Sequence, residues 1–130
     1  MVEEHYRGRP VSNWLELLCA HSSERRREAA AVLTSVGLPA VPGLLVIIRE
    51  GRTADRCRAI RVLAHIGPAA KPAVPLLRET LKDNDARVRN EVRAALAVID
   101  PKAAGLMYSL CFRIRRWFRK KPTTSTTARR

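Results

Sequence analysis

An internal repeat is the feature of this 130-residue chain that most constrains its fold. The segments RRREAAAVLTSVG, DRCRAIRVLAHIG and VRNEVRAALAVID superimpose without a gap. Their shared positions step by three or four residues, which places them on one face of an α-helix. Each segment is therefore predicted to form the first helix of a repeated unit. The aligned sets are Arg26 with Arg56 and Arg89, Ala29 with Ala59 and Val92, Leu33 with Leu63 and Leu96, and Val36 with Ile66 and Ile99.

A second apolar segment follows each of the first two helices, after a turn rich in proline. These segments read AVPGLLVIIRE and AVPLLRETLKD. Gly37 and Gly67 stand where a helix C-terminus favours positive φ, and Pro42 and Pro75 suit the first turn of the next helix. The unit is therefore predicted to be two antiparallel helices joined by a short turn.

The register extends to both ends of the chain. An offset of 33 residues places Met107, Leu110 and Ile114 on a second helix of the third unit, and an offset of 30 places an extra helix at the N-terminus. That extra helix should start near Ser12 as its N-cap. We therefore predict an all-α fold, a short α-solenoid of about three helix pairs with an extra N-terminal helix. The predicted parts are an N-terminal segment (1–11), a repeat domain (12–121, with units at about 22–50, 54–83 and 86–121) and a disordered basic tail (122–130).

The segment LKDNDARVRNEVRAALAVID, preceded by IGPAAKPAVPLL, resembles the HEAT-like repeats grouped with phycobilisome lyase subunits. The resemblance covers roughly residues 12 to 115. It implies a repeat fold, and the family's functions include scaffolds, adaptors, bilin lyase subunits and, in one branch, DNA-repair glycosylases. It also implies that an Asp and an Arg flanking the first helix bond between neighbouring units, here Asp85 and Arg89. Asp55, where the third unit has Val88, departs from this pattern.

The charge balance favours an anionic partner. The chain has 25 Lys and Arg against 12 Asp and Glu, a formal net charge of +13, which suits nucleic acid, an acidic protein or an acidic lipid surface. No acid occurs after position 101, and nine basic residues do: Lys102, Arg113, Arg115, Arg116, Arg119, Lys120, Lys121, Arg129 and Arg130.

Motifs for chemistry are not found in the sequence. It contains no GxSxG, GxxxxGKS, HExxH or GxGxxG pattern, and its three cysteines and three histidines are isolated, so we expect no enzyme, metal or cofactor. Cys19, Cys57 and Cys111 are expected to be buried as small apolar residues. The start of the chain has no apolar signal region, and AAGLMYSLCF is too short for a transmembrane segment, so a cytoplasmic location is expected.

The second helices should line one side of the array, and equivalent positions there form a column of mostly basic residues: Cys19, Arg49, Lys82 and Arg115. Lys71 and Arg78 lie nearby, opposed by Glu79 and Asp83. The column is either a positive binding strip or an ordinary solvated helix face. The segment VPGLLVIIRE is apolar almost all round. Its Val46 and Ile47 should be covered in a central buried helix, or else form a patch for a partner.

After Arg115 the C-terminal helix leaves the register, and three interpretations compete for its basic end. It caps the array, binds phosphates of nucleic acid, or lies on an acidic membrane with Trp117 and Phe118 inserted. We predict a non-enzymatic scaffold or adaptor for another, acidic protein. Low-specificity nucleic-acid binding is the alternative, and an accessory subunit of a lyase-like enzyme comes third. The candidate binding residues are Arg49, Lys71, Arg78, Lys82, Arg115, Arg116, Trp117, Phe118, Arg119, Lys120 and Lys121.

Overall fold

The computed structural model describes residues 4–102, which are mostly helical, as predicted. The helices are α1 (Val11–Leu18), α2 (Ser23–Val36), α3 (Val41–Glu50), α4 (Thr53–Ile66), α5 (Val74–Thr80) and α6 (Ala86–Ile99). Short 3-10 segments, Leu38–Ala40 and Gly67–Ala73, precede α3 and α5. Two strands that the sequence analysis did not predict, β1 (His5–Tyr6) and β2 (Arg9–Pro10), pair antiparallel before α1.

The hairpin joins the start of the chain to α1. Its turn contains Arg7 and Gly8 at φ values of 52° and 75°, a conformation that glycine adopts without strain. The indole N–H of Trp14 donates a hydrogen bond of 3.0 Å to the Tyr6 carbonyl, and the Arg9 guanidinium lies 5.5 Å from the Trp14 ring centroid. The N-terminal residues therefore pack on α1.

Most predicted helix ends are confirmed. Gly37 and Gly67 end α2 and α4 at φ values of 72° and 77°, and Pro42 and Pro75 lie in the first turns of α3 and α5. The prediction that Ser12 caps the first helix is wrong, because α1 begins at Val11. Pro10 occupies the N-cap position in an extended conformation (φ −66°, ψ 153°), so Ser12 lies inside the first turn of α1.

The helices pack as α1 with α2, α3 with α4 and α5 with α6, so α3 and α5 pack mainly on the first helix of the next predicted unit and not on the first helix of their own; α4 also lies against α2 and α6. The aligned Leu33, Leu63 and Leu96 all enter one core. Burial of these side chains supplies the main stabilising term, roughly 1.5–3 kcal/mol for each. The repeated apolar positions of α2, α4 and α6 thus share one role.

Helix α3 is not buried on all sides. Leu44 and Ile48 face the core, whereas Val46 is 50% exposed and Ile47 half-buried. The prediction of a central buried helix therefore fails for Val46, because α1 and α4 cover only one side of α3. The contact with α1 is close, since a Cβ built on Gly43 would lie 2.1 Å from Leu15 Cδ1.

Several predictions lie outside the described residues: the second helix of the third unit, its basic end, the tail at 122–130 and the burial of Cys111. Of the other cysteines, Cys57 is buried as predicted and Cys19 is partly exposed. Across residues 4–102 no single helix is long and apolar enough to cross a membrane; only α2 together with Leu38–Glu50, a pair bent by 120°, meets the length and composition criteria.

Candidate functional site

Two of the three aligned arginines make the same contacts, at the start of α2 and of α6. Arg26 donates from Nη1 to the carbonyls of Ala20 and His21 at 2.8 and 2.5 Å. Arg89 donates likewise to the carbonyls of Asp83 and Asn84 at 2.6 and 2.9 Å. In each case a guanidinium satisfies backbone acceptors just before its own helix. These contacts give Arg26 and Arg89 a structural role.

Arg56, the third aligned arginine, joins the end of α3 to the turn before α6. Its Nε donates to the Ile48 carbonyl at the end of α3 (2.7 Å), and its Nη2 donates to Asp83 Oδ2 in the turn before α6 (2.5 Å). The two side chains are only 20% and 16% exposed, so solvent screens the pair incompletely. We call this set of contacts the Arg56 bridge.

The carboxylate of the bridge differs from the one that the family resemblance implied. Asp85 was expected to bond between units, but its side chain accepts from the backbone N–H of Arg87 at 2.8 Å and so caps α6. Its Oδ2 also lies 3.0 Å from Arg87 Nη2. Asp85 directly precedes α6 and bonds to the first residues of that helix. Asp83, two residues earlier, is therefore the carboxylate that bonds to Arg56 of α4.

The Arg56 bridge holds two exposed cations on neighbouring turns. Arg49 follows Ile48 in the chain, and Lys82 precedes Asp83, so Arg56 links the two backbone segments that carry these residues. Both are at least partly exposed, and within residues 4–102 neither side chain has a hydrogen-bonding or ionic partner. We call Arg49 and Lys82 the basic pair.

The other predicted binding residues do not join the basic pair. Lys71 is exposed in the 3-10 segment before α5, at the opposite end of that helix from Lys82. Arg78 Nη2 lies 4.0 Å from Asp100 Oδ2, so the carboxylate that follows α6 partly neutralises the charge of Arg78. The remaining candidates, Arg115, Arg116, Trp117, Phe118, Arg119, Lys120 and Lys121, lie outside the described residues.

A cleft that the sequence analysis missed lies between the end of α1 and the start of α4. It has a volume of about 240 Å³. Asp55 at its wall is only 6% exposed and accepts from Arg58 Nη1 at 2.6 Å, with Arg52 Nε at 3.6 Å. We call this cavity the α1–α4 cleft. The residues that line it are Cys19, Ala20, His21, Arg26, Arg52, Ala54, Asp55 and Arg58.

The signal for this cleft was the departure at Asp55, where the third unit has an apolar valine. A buried carboxylate is costly unless cations and hydrogen-bond donors surround it, so its presence indicates a polar cluster. Which residues complete the cluster depends on the approach of α1 to α4, which no local pattern predicts.

The thiols of the described part have raised pKa values. Burial, and then the charge of Asp55, raise the pKa of Cys19, and burial raises that of Cys57. A thiol with a raised pKa is mostly protonated at neutral pH and is a poor nucleophile. Between residues 4 and 102, no group of three or more His, Cys, Asp or Glu side chains could hold a metal ion.

The Arg56 bridge predicts a dependence of stability on acid. The backbone N–H of Asp85 and then the Arg56 guanidinium hold the pKa of Asp83 below its usual value. A carboxyl with a lower pKa in the folded state contributes stability above its unfolded pKa, and this is lost as pH falls through the folded pKa. Urea unfolding should therefore show lower stability at about pH 3 than at about pH 6, below and above the ordinary Asp pKa.

The variant Asp83→Asn should show a smaller difference between the two pH values, because its amide does not titrate. Asp100→Asn provides a control with the same chemical change at the looser contact with Arg78, 4.0 Å long. Equal pH dependence in the wild type and in Asp83→Asn would contradict the role of Asp83.

Neither the protein-family models nor the curated proteins give a match to the chain. The features of the chain that bear on its function are the Arg56 bridge, the basic pair and the net charge of +13.

Proposed function

We propose that this chain is a non-enzymatic HEAT-like repeat module, a short α-solenoid that acts as a scaffold or adaptor for an acidic partner protein. The repeat interpretation is supported by the shared core positions of α2, α4 and α6, and by α4 packing against both of the others. Arg26 and Arg89 add the same pair of carbonyl contacts at equivalent positions of two units, while the aligned Arg56 bonds to a carbonyl at the end of α3.

The observation that carries the binding proposal is the basic pair. Arg56 forms an ion pair with Asp83, and it links the segments that carry Arg49 and Lys82. Within the described part, neither of these two side chains has a partner of its own. Because the backbone segments that carry the two cations are already linked, they can meet two carboxylates of a partner with little loss of backbone freedom. The pair therefore suits a segment with closely spaced acidic residues.

Strength must come from more than these two side chains. An exposed ion pair contributes roughly 0–1 kcal/mol, and Glu50 beside Arg49 weakens the local positive potential. The basic residues after position 101 add long-range attraction, which raises the association rate more than the affinity. We therefore propose fast and salt-sensitive binding to the acidic partner.

Low-specificity nucleic-acid binding is the second candidate, and the net charge of +13 favours it. Phosphates along a backbone would meet the basic pair and the C-terminal bases without reading any sequence. The distinguishing property is counterion release, which makes the logarithm of affinity fall linearly with the logarithm of salt concentration.

Charge reversal at the basic pair tests the proposed function. The double variant Arg49→Glu, Lys82→Glu should bind a synthetic glutamate-rich peptide at least about tenfold more weakly, because two attractions become repulsions. The matched control is Arg25→Glu, Arg27→Glu, which makes the same change of charge at exposed residues of α2. Fluorescence anisotropy at low and moderate salt measures both.

The control should lose no more than about threefold, the size expected from the change in overall charge alone. Equal losses in the two double variants would contradict a site at the basic pair. Tighter binding of duplex DNA than of the peptide, with a linear salt slope, would replace the adaptor proposal by the nucleic-acid one.

A further inference from the structure

We propose that the α1–α4 cleft binds the phosphate group of a small ligand. The arginines that line the cleft have guanidinium N–H donors without a partner in residues 4–102. Arg26 and Arg58 each make their side-chain bonds through Nη1, and Arg52 approaches Asp55 through Nε. A guanidinium carries five N–H donors, so within residues 4–102 most donors of these three side chains have no protein partner.

The cleft carries a positive charge, which favours an anionic ligand. Three guanidiniums and the Asp55 carboxylate leave an excess of two positive charges among the lining residues. A phosphate monoester carries roughly −1.5 to −2 at neutral pH and accepts bonds through three oxygens. Guanidinium groups match such oxygens in geometry as well as in charge. A neutral ligand would leave the excess charge uncompensated.

Two guanidinium groups lie near the Asp55 carboxylate, although one is enough to balance its charge. Arg58 already meets its buried carboxylate at 2.6 Å, whereas Arg52 is 79% exposed and stands at 3.6 Å. Asp55 holds the Arg58 guanidinium at the wall of the cleft, and such a second contact keeps a binding group in place before a ligand arrives. Arg52 is therefore the side chain with the most freedom to contact a bound phosphate.

The size of the cleft limits the ligand. Its volume of about 240 Å³ is below the ~300–1,000 Å³ of sites for drug-sized molecules. A phosphate with a few further atoms fits, and free phosphate shares the same chemistry. The basic pair is not part of the lining, so this proposal stands independently of the adaptor proposal.

The experiment titrates inorganic phosphate and glycerol phosphate into the full chain at constant ionic strength, with chloride and sulfate as comparison anions. Backbone amide chemical shifts report the location, and the expected changes are at Ala20, His21 and Ala54. The expected dissociation constant for either phosphate is about 1 mM, which suits a few charge-assisted bonds in a small cleft.

Arg52→Glu should weaken phosphate binding at least about tenfold, since it replaces an attraction by a repulsion at an exposed position. Arg27→Glu changes the same charge on α2 outside the lining, and it should change affinity less than about threefold. If Arg52→Glu does not fold, judged by circular dichroism, Arg52→Gln removes the charge with less perturbation and should also weaken binding.

Alkylation of Cys19 gives a second and local measurement. In a Cys111→Ser background Cys57 stays buried, so iodoacetamide should react mainly at Cys19, and bound phosphate should slow that reaction. Stronger binding of glycerol phosphate would identify a phosphate monoester as the ligand, and stronger binding of inorganic phosphate would identify the free ion. Equal effects of phosphate and chloride, equal losses in Arg52→Glu and Arg27→Glu, or shifts away from the cleft would each overturn the proposal.

Discussion

Arg56→Ala is expected to lower the free energy of unfolding by about 2–3 kcal/mol, because it removes charge-assisted bonds and leaves a largely buried carboxylate without its cation. The lost contacts are those to the Ile48 carbonyl at 2.7 Å and to Asp83 at 2.5 Å. Urea unfolding followed by circular dichroism at neutral pH measures the difference.

The matched control is Arg61→Ala, five residues further along the same helix. Arg61 also pairs with a carboxylate of another helix, Glu91, but its side chain is 62% exposed. Solvent screens such a pair, so the control should lose only about 0–1 kcal/mol. A loss at Arg61 as large as that at Arg56 would mean that the carbonyl contact and burial of the Arg56 bridge contribute nothing extra.

A double-mutant cycle separates the pair from the rest of the bridge. The variants Arg56→Ala, Asp83→Ala and their combination should give a coupling energy of about 1–2 kcal/mol, since residues in direct contact are not additive. The same variants test the placement of the basic pair. Binding to the acidic peptide should weaken in Arg56→Ala although Arg49 and Lys82 are unchanged.

Leu44→Ala is expected to destabilise the chain by about 2–5 kcal/mol, the cost of removing a core side chain and leaving a cavity. Leu44 is fully buried on the inner side of α3. The substitution should lower the midpoint of urea unfolding without changing the helical content of the folded state at low urea.

Val46→Ala on the same helix is the control, because Val46 is 50% exposed. A surface change of this kind should alter the free energy of unfolding by no more than about 0.5 kcal/mol. A large loss at Val46 would show that its side chain is covered in solution, as by self-association. That result would restore the interpretation of α3 as a helix buried on all sides.

The difference between Leu44 and Val46 marks a limit of reading a helix from its sequence. VPGLLVIIRE contains apolar residues on every side, so its periodicity does not say which side meets the core. Only the packing of α1 and α4 against α3 decides this. The close approach at Gly43, where a side chain would meet Leu15, fixes how α1 and α3 can face each other.

The candidate site divides in the same way. The offset of 33 residues aligns Arg49 with Lys82 through the repeat pattern alone. The choice of Asp83 over Asp85 as the partner of Arg56 was not predictable, because both are acids in the same short turn. It depends on which carboxylate can reach α4 after local capping is satisfied.

The sequence alone determined where most helices begin and end, since helix periodicity, glycines at positive φ and prolines in first turns act within a few residues. It also determined the equivalence of Arg26, Arg56 and Arg89. The tertiary structure alone decided that Val46 faces outward, that Asp83 completes the Arg56 bridge, and that Asp55 lines a cleft with residues of α1. These outcomes depend on distances between side chains far apart in the chain, which local propensity does not contain.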